Sequence, residues 1–176
     1  MTTILETERL RLRPLDPADV DALAAVLSDP TTMHWYPHPF SRAEVEAWIA
    51  RNRVHWDEGR LGLWGLELKE TGELIGDCGP VPQRVEGVDE IELGWHVRRD
   101  LWGQGLAPEA GAACRDLCLG ELGITRLISL VRPENTQSGR VAEKIGMTVE
   151  FETSWANLRH FVYSLGTPRP LGTPTP

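Results

Sequence analysis

The sequence is poor in cysteine, and this excludes a disulfide-stabilised scaffold. There are three cysteines in 176 residues, an odd number that cannot pair completely. Cys114 and Cys118 stand four residues apart, a spacing that fits neither a CxxC redox pair nor a zinc knuckle. A chain of this length can bury enough surface to fold without such cross-links. We therefore expect a reduced, cytosolic protein.

Basic residues and long apolar runs are also scarce. Lysine and arginine number 18 against 26 acidic residues, which gives a formal charge of −8. This balance disfavours generic nucleic-acid binding, because such binding depends on basic surface that neutralises phosphates. No uninterrupted apolar run of about 18 residues could span a bilayer, and the N-terminal segment is too charged for a secretory signal. We expect a cytoplasmic protein that binds neither membrane nor nucleic acid.

The length corresponds to one compact domain followed by a short tail. We assign residues 1–165 to the domain and residues 166–176 to a mobile tail. The tail contains four of the 13 prolines and almost no side chains that could be buried. One core must therefore support the whole function.

Hydrophobic periodicity predicts the elements of the first half. Residues 9–14 alternate between charged and apolar, which is typical of a half-buried strand. Asp16 and Ser41 each have the pattern of a helix-capping residue. Three apolar runs then follow, with Thr71-Gly72 predicting a tight hairpin between the first two. These runs, read as consecutive antiparallel strands, are residues 61–68, 74–78 and 91–97.

The second half changes to an alternation of helix and strand. A glycine-rich turn precedes a helix over about residues 108–119, then a strand over 126–131 and a helix over 136–145 that Gly146 ends. Two short strands near Val149 and Phe161 complete the domain. A meander followed by this alternation predicts a mixed α+β fold.

The glycine-rich turn, Trp102-Gly-Gln-Gly-Leu-Ala-Pro-Glu-Ala110, is the most informative segment. Two glycines lie between a strand and a helix, so unpaired N–H groups at the positive helix end could hold phosphate oxygens. The segment lacks the lysine and the Ser or Thr of a P-loop, and Pro108 replaces the last glycine of a dinucleotide fingerprint. A plain turn is the alternative interpretation of this segment alone.

The same segment resembles the acyl-CoA pyrophosphate loop of the GNAT N-acetyltransferase superfamily, in the form found in its Rim-type branch of ribosomal-protein N-terminal alanine acetyltransferases. Residues 7–14, 91–97 and 135–147 resemble that branch's first strand, central strand and second CoA-side motif, in the family's order. The departures are Trp102, where many relatives outside this branch carry Arg or Gln, and Met147, where an aromatic residue is usual. The resemblance covers about residues 5–165.

The resemblance implies a central mixed, mostly antiparallel sheet of six to seven strands flanked by about four helices. The sheet is expected to splay between its central strand and the parallel neighbour, leaving a gap for the pantetheine arm. The implied activity is transfer of the acetyl group of acetyl-CoA to a primary amine, on a protein N-terminus or a small molecule, by direct attack in a ternary complex. A catalytically silent acyl-CoA-binding sensor or interaction domain is the alternative. The resemblance also suggests a homodimer.

The cofactor-binding positions implied by the resemblance fall in three segments. Main-chain groups of the central strand would pair with the pantetheine arm, amides of the loop would take the pyrophosphate, and the second CoA-side motif would contact the arm and the sulfur. The residues are Trp95, Val97, Trp102, Gly103, Gln104, Gly105, Leu106, Ala107, Asn135 and Ser138.

Acetyl transfer requires a neutral amine and a group that takes its proton. Alternation along the central strand places Glu90, Glu92, Gly94 and His96 on one face. Glu92 is the candidate general base, and Glu90 and His96 are alternative candidates for this role. The alternative is that Glu92 is simply the polar side of a half-exposed strand.

The leaving thiolate needs a hydrogen-bond donor. Many GNAT enzymes use a tyrosine of the second CoA-side helix, but the two tyrosines of this chain are Tyr36 and Tyr163. By resemblance Ser138 takes this catalytic role, while a helix cap and an ordinary first-turn residue remain the alternatives for Asn135 and Ser138.

The acceptor site is expected around the aromatic segment 33–40. Trp35, Tyr36 and Phe40, with Glu90, are the candidate substrate-binding residues. A metal site formed by His34 and His38 is disfavoured, because neighbouring prolines break the helix that such an i, i+4 pair requires. No metal is expected.

Overall fold

A computed structural model describes residues 2–169. Within this range one mixed sheet has eight strands in the order β1-β2-β3-β4-β5-β6-β8-β7, with four α-helices. Neighbouring strands are antiparallel except the pair β5 and β6. The α+β prediction is confirmed, and the two-residue β1 accounts for a strand number slightly above the expected one. The elements are β1 Leu5–Glu6, β2 Leu10–Arg13, α1 Val20–Leu27, α2 Arg42–Gly59, β3 Trp64–Leu68, β4 Leu74–Val85, β5 Val88–Val97, α3 Leu106–Leu119, β6 Arg126–Val131, α4 Thr136–Lys144, β7 Thr148–Trp155 and β8 Leu158–Gly166.

Side-chain caps set the start of both N-terminal helices. Asp16 accepts from the Ala18 N–H at 2.9 Å and begins a short 3-10 turn that leads into α1. Ser41 caps α2, and its own N–H donates to Glu44 at 2.7 Å. Each cap satisfies an N–H that the helix itself leaves unpaired. The capping patterns therefore predicted both helix starts.

The strand β4 extends well beyond the predicted 74–78, although it contains Pro80 and Pro82. Pairing with β3 ends at Cys78, whereas pairing with β5 continues to Val85. The Pro80 carbonyl accepts from the Gly62 N–H at 2.6 Å, so the backbone groups of Pro80 point away from β5. Proline is tolerated there because no ladder N–H is required on that side.

Two apolar clusters lie on opposite faces of the sheet. Adjacent residues of β4 belong to different clusters. Leu74 is part of the cluster under α1 and α2, and Ile75 is part of the cluster under α3 and α4. In β5, Leu93 and Val97 face the second cluster. Glu92 and His96 therefore face the side of α1 and α2, as alternation requires.

The parallel strands β5 and β6 part soon after they meet. In the described chain their register consists of one pair, Glu92 with Ile128. Just beyond it, Ser129 Oγ donates to the Leu93 carbonyl at 2.6 Å, and the Leu130 N–H donates to the Glu92 carboxylate at 3.2 Å. Side chains thus replace the missing ladder bonds, and a gap opens between the two strands.

The C-terminal end of the described chain is bonded to the sheet. The Thr167 carbonyl accepts from Arg126 at 3.0 Å, and Arg169 donates to Glu86 and to the Val85 carbonyl, both at 2.8 Å. Gly166, Thr167 and Arg169 of the predicted tail therefore bond to the domain, while residues 170–176 lie outside the described residues. No helix in the described range is long and apolar enough to cross a membrane.

Candidate active site

A cleft of about 730 Å³ opens where β5 and β6 separate. The loop before α3 and the start of α4 form one end, and α2 with the aromatic segment before it forms the other. The β7–β8 hairpin contributes Trp155, Ala156 and Leu158. The gap predicted for the pantetheine arm thus coincides with a continuous cleft.

The glycine-rich loop has the backbone conformation that the sequence suggested. Gly103 and Gly105 have φ of 78° and 80°, a left-handed conformation that favours glycine. A Cβ at Gly103 would meet nothing within 4 Å, so conformation rather than space selects glycine there. Gly105 is the N-cap of α3 and makes no side-chain cap. The first N–H groups of α3 therefore remain open to an anionic ligand.

An ion pair that the sequence interpretation missed holds this loop. Arg9 donates to the Gln104 carbonyl at 2.9 Å and to Glu109 at 2.7 Å. Thr7 Oγ1 donates to the same carboxylate at 2.5 Å. Thr7 and Arg9 belong to the first-strand motif and Glu109 to the loop motif. The presence of both motifs in one sequence was the signal from which this contact could have been predicted. The contact therefore joins two motifs of the same family resemblance that lie 100 residues apart in the sequence.

The predicted cofactor residues mostly line the cleft. Trp95, Val97, Gly103, Gly105, Asn135 and Ser138 do so. Trp102 Nε1 donates to the Val97 carbonyl at 2.6 Å and so fixes the loop to the end of β5. Trp102, Leu106 and Ala107 line the cleft as well.

Glu92 lies at the point where the strands part. Its carboxylate accepts from Gln83 Nε2 at 3.0 Å and from the Leu130 N–H at 3.2 Å. Burial raises the pKa of Glu92, while the two hydrogen bonds and the nearby His96 oppose the rise. A carboxylate with a raised pKa is a stronger base than an ordinary glutamate.

Asn135 and Ser138 meet at the N-terminus of α4. Asn135 Oδ1 accepts from the Ser138 N–H at 3.2 Å, and Asn135 Nδ2 donates to Ser138 Oγ at 3.1 Å. Asn135 is therefore a helix cap, the alternative that the sequence left open, and it also lines the cleft. Because Ser138 Oγ accepts this bond, its own proton is oriented for another acceptor.

A chain of polar side chains, of which His96 and Asp77 are buried and Tyr36 and Trp48 partly buried, borders the same cleft. Tyr36 Oη lies 2.7 Å from His96 Nε2, and His96 Nδ1 lies 2.7 Å from Asp77 Oδ1. Trp48 Nε1 donates to the other Asp77 oxygen at 2.8 Å. The sequence interpretation did not single out Asp77. Its pairing opposite His96 in the β4–β5 register was the missing information.

Three predicted site residues lie outside the cleft lining. Glu90 is buried in an ion pair with Arg126 at 2.9 Å, because it precedes the point where β5 and β6 separate. Phe40 packs on Trp48 at 5.5 Å between ring centroids. Gln104 points its carbonyl to Arg9. Of the acceptor candidates, Trp35 and Tyr36 do line the cleft.

The lining is basic although the whole chain is acidic. Glu92 is the one acidic side chain among the described lining residues, whereas the basic ones include Arg51, Arg132, Arg140 and Lys144. This lining attracts a polyanionic ligand despite the formal charge of −8. The acidic composition therefore says little about what enters the cleft.

Comparisons with known proteins agree with this geometry. Residues 9–148 match the model of the acetyltransferase (GNAT) domain family. The uncharacterized protein YkkB of Bacillus subtilis is 38% identical over 146 residues, covering 82% of this chain and 85% of that protein. The crystal structure of an acetyltransferase from Agrobacterium tumefaciens is similar with a TM-score of 0.83 and 32% identity, covering 95% of each chain.

The fold is also that of RimL, a ribosomal-protein acetyltransferase whose structure holds coenzyme A. The TM-score is 0.77 at 19% identity, covering 94% of this chain and 98% of that one. At this identity the comparison shows a shared fold. Taken with the family match over 140 of the 176 residues, it confirms the resemblance seen in the motifs: the chain belongs to the GNAT acetyltransferase family and is an acyltransferase.

Proposed function

We propose that the protein transfers the acetyl group of acetyl-CoA to a primary amine in a ternary complex. The observation that carries the proposal is the cleft between β5 and β6. One end of it has open helix N–H groups, and Glu92 stands where the strands part. The acceptor is either a protein N-terminus or a small-molecule amine.

The residues present fit acetyl-CoA as the acetyl donor. The amides of Gly103, Gly105 and the first turn of α3 suit the pyrophosphate. The basic side chains of the lining, Arg140 and Lys144 among them, balance the remaining negative charge. The edge of β5 beyond Glu92 suits the amide groups of the pantetheine arm. Acetyl-CoA supplies an activated thioester and a thiolate leaving group.

Glu92 would take a proton from the acceptor ammonium and leave the neutral amine that can attack. Glu92 lies on the face of the sheet that α1 and α2 cover, opposite the apolar core under α3. Ser138 Oγ would donate a hydrogen bond to the departing sulfur. A thiol of ordinary pKa near 8.5 leaves readily, so Ser138 should matter less than Glu92.

The aromatic end of the cleft would receive the acceptor. Trp35, Tyr36, Trp48 and Trp155 line it, and flat aromatic side chains can bind both an alkyl chain and a cation. This lining accommodates a peptide N-terminus and a small amine equally. The acceptor class is therefore left to experiment, and a homodimer remains a prediction.

Calorimetric titration with acetyl-CoA, followed by thiol-release assays on the same sample, tests the proposal. The amine panel contains N-terminal peptides, amino acids, polyamines and aminoglycosides. We expect binding together with turnover for one class of amine. Binding without turnover across the panel would favour a silent acyl-CoA sensor. Absence of acetyl-CoA binding would overturn the proposal.

A further inference from the structure

We propose that Tyr36 is a second proton acceptor for the reaction and passes its proton to His96, which Asp77 and Trp48 hold in place. This inference rests on the proposed function. An ammonium nitrogen loses two protons when it becomes an amide, and the thiolate gains one, so one proton is released overall. Glu92 accounts for the first proton, and the second needs another route.

The geometry supplies a continuous chain of hydrogen bonds. Tyr36, His96 and Trp48 line the cleft, whereas Asp77 lies behind them with no exposed surface. The contacts from Tyr36 to His96 and from His96 to Asp77 are both 2.7 Å. Tyr36 Oη therefore connects the cleft to a buried imidazole–carboxylate pair, the arrangement that makes a hydroxyl a proton relay.

For a neutral imidazole, the donors and acceptors fix the direction of this chain. Trp48 Nε1 can only donate, and it donates to Asp77 Oδ2. A carboxylate can only accept, so Nδ1 of His96 must carry the proton that faces Asp77. In a neutral imidazole Nε2 is then unprotonated and accepts from the Tyr36 hydroxyl. Burial, with the charges of Glu92 and Asp77, raises the pKa of Tyr36, so this hydroxyl keeps its proton as a donor.

The transfer itself is balanced. The Tyr36 O–H bond breaks as its proton bonds to His96 Nε2, and Tyr36 Oη bonds to the proton released by the acceptor nitrogen. Tyr36 loses one proton and gains one, so its hydroxyl stays neutral. His96 becomes an imidazolium that the Asp77 carboxylate stabilises. When the products leave the cleft, His96 returns its proton through Tyr36 to water, which is the one proton released overall, and the proton on Glu92 passes to the thiolate. Tyr36 is the catalytic residue of this relay, and Asp77 and Trp48 are positioning residues.

A purely structural tie between β4, β5 and α2 is the competing explanation. Buried carboxylates are commonly paired in this way. Such a tie does not require a hydroxyl at the cleft surface. It also does not require Tyr36 and Glu92 to line the same cleft, as they do. The two explanations differ in what they predict for the hydroxyl alone.

The first test needs no acceptor and uses wild-type protein. Nitrogen-15 NMR of the imidazoles, with His96→Gln assigning the signal among the five histidines, reports which ring nitrogen is protonated. We expect a neutral His96 with its proton on Nδ1. A His96 with its proton on Nε2 would donate to Tyr36, could not receive the proton, and would overturn the proposal.

The second test removes one hydroxyl at each tyrosine in turn, using the amine with the fastest turnover in the panel. Tyr36→Phe keeps the ring, so we expect acetyl-CoA affinity to remain within twofold and kcat to fall by about 10²-fold, the usual contribution of acid–base catalysis. Tyr163→Phe is the matched control, because Tyr163 is the other tyrosine of the chain and lies outside the cleft lining. A kcat of Tyr36→Phe within threefold of wild type would overturn the relay, whereas an inactive wild type would contradict the proposed function.

Asp77→Asn provides the readout for positioning. Because Trp48 donates, the asparagine must turn its oxygen to Trp48 and its NH₂ to His96, which forces the imidazole proton onto Nε2. We expect the NMR signal of His96 to change tautomer and kcat to fall as in Tyr36→Phe. A changed tautomer with unchanged kcat would show that the chain is only structural.

Discussion

Glu92 illustrates how one position can combine a structural and a chemical role. Its carboxylate receives the Leu130 N–H that a continuous parallel ladder would have bonded to β5. The same placement takes the carboxyl out of water and raises its pKa. The gap between the strands and the raised pKa of Glu92 therefore have a common origin.

Glu92→Gln should lower kcat by about 10²-fold, because the amide cannot take a proton, and should leave acetyl-CoA affinity unchanged. In the wild type the rate should fall as the pH is lowered through the raised pKa of Glu92, since protonation removes the base. That limb should lie above the ordinary value of 4.5 and disappear in the variant. Rate–pH profiles with the same amine check both points.

Glu90→Gln is the control on the same strand face. Glu90 is paired with Arg126 in the interior, so the substitution should cost about 3 kcal/mol of stability without a loss of kcat in the folded fraction. An equal loss of kcat in both variants would contradict the special role of Glu92.

Gly105→Glu should abolish acetyl-CoA binding, because the new carboxylate would crowd and repel the pyrophosphate. Gly72→Glu is a matched control, since Gly72 has φ of 73° and, like Gly105 at 80°, space for a side chain. Both variants carry the strain of a left-handed non-glycine residue, about 1 kcal/mol. Calorimetry should find binding lost in the first variant alone, and near-normal affinity there would refute the loop assignment.

The loop before α3 owes its shape to the segment just before β2 as well as to its own glycines. Arg9 joins the Gln104 carbonyl to Glu109 in the first turn of α3. A loop held in this way presents its N–H groups without further ordering, so binding costs less conformational entropy. The turn between β1 and β2 thereby contributes to a site that it does not line.

Arg9→Met should weaken acetyl-CoA binding about tenfold, which corresponds to about 1.4 kcal/mol, because the loop loses its external support. Arg11→Met removes a charge two residues away, in β2, but Arg11 bonds Glu6 and Glu67 instead. Titration of both variants distinguishes support of the loop from the general effect of charge. Equal affinities would contradict the support.

Sequence patterns anticipated most of the architecture, and the exceptions have physical causes. Caps, hairpins and the strand 126–131 follow from local chemistry. The extension of β4 through two prolines depends on the absence of a partner on one side, which only the assembled sheet reveals. Likewise Glu90 and Glu92 have the same residue type and face. Their separate environments depend on where β6 diverges from β5, whereas the contact of Asp77 with His96 depends on the register of β4 and β5.

The three cysteines of the molecule should not react rapidly with thiol reagents in the native state. All are buried and unpaired by disulfides. Burial raises the pKa of Cys114 and raises that of Cys118 to about 12, so the reactive thiolate is suppressed. Native protein should show no rapid labelling by a chromogenic disulfide, and guanidinium should expose three thiols. Rapid native labelling would contradict the packing and complicate thiol-release assays.

We propose that the gap between β5 and β6 holds the acetyl donor beside Glu92. A crystal structure of the protein with acetyl-CoA tests it most directly. We predict the pyrophosphate on the amides of Gly103 and Gly105, the pantetheine arm along β5 beyond Glu92, and the thioester at the divergence of the strands. A donor bound elsewhere, with this gap filled by protein side chains, would contradict the account.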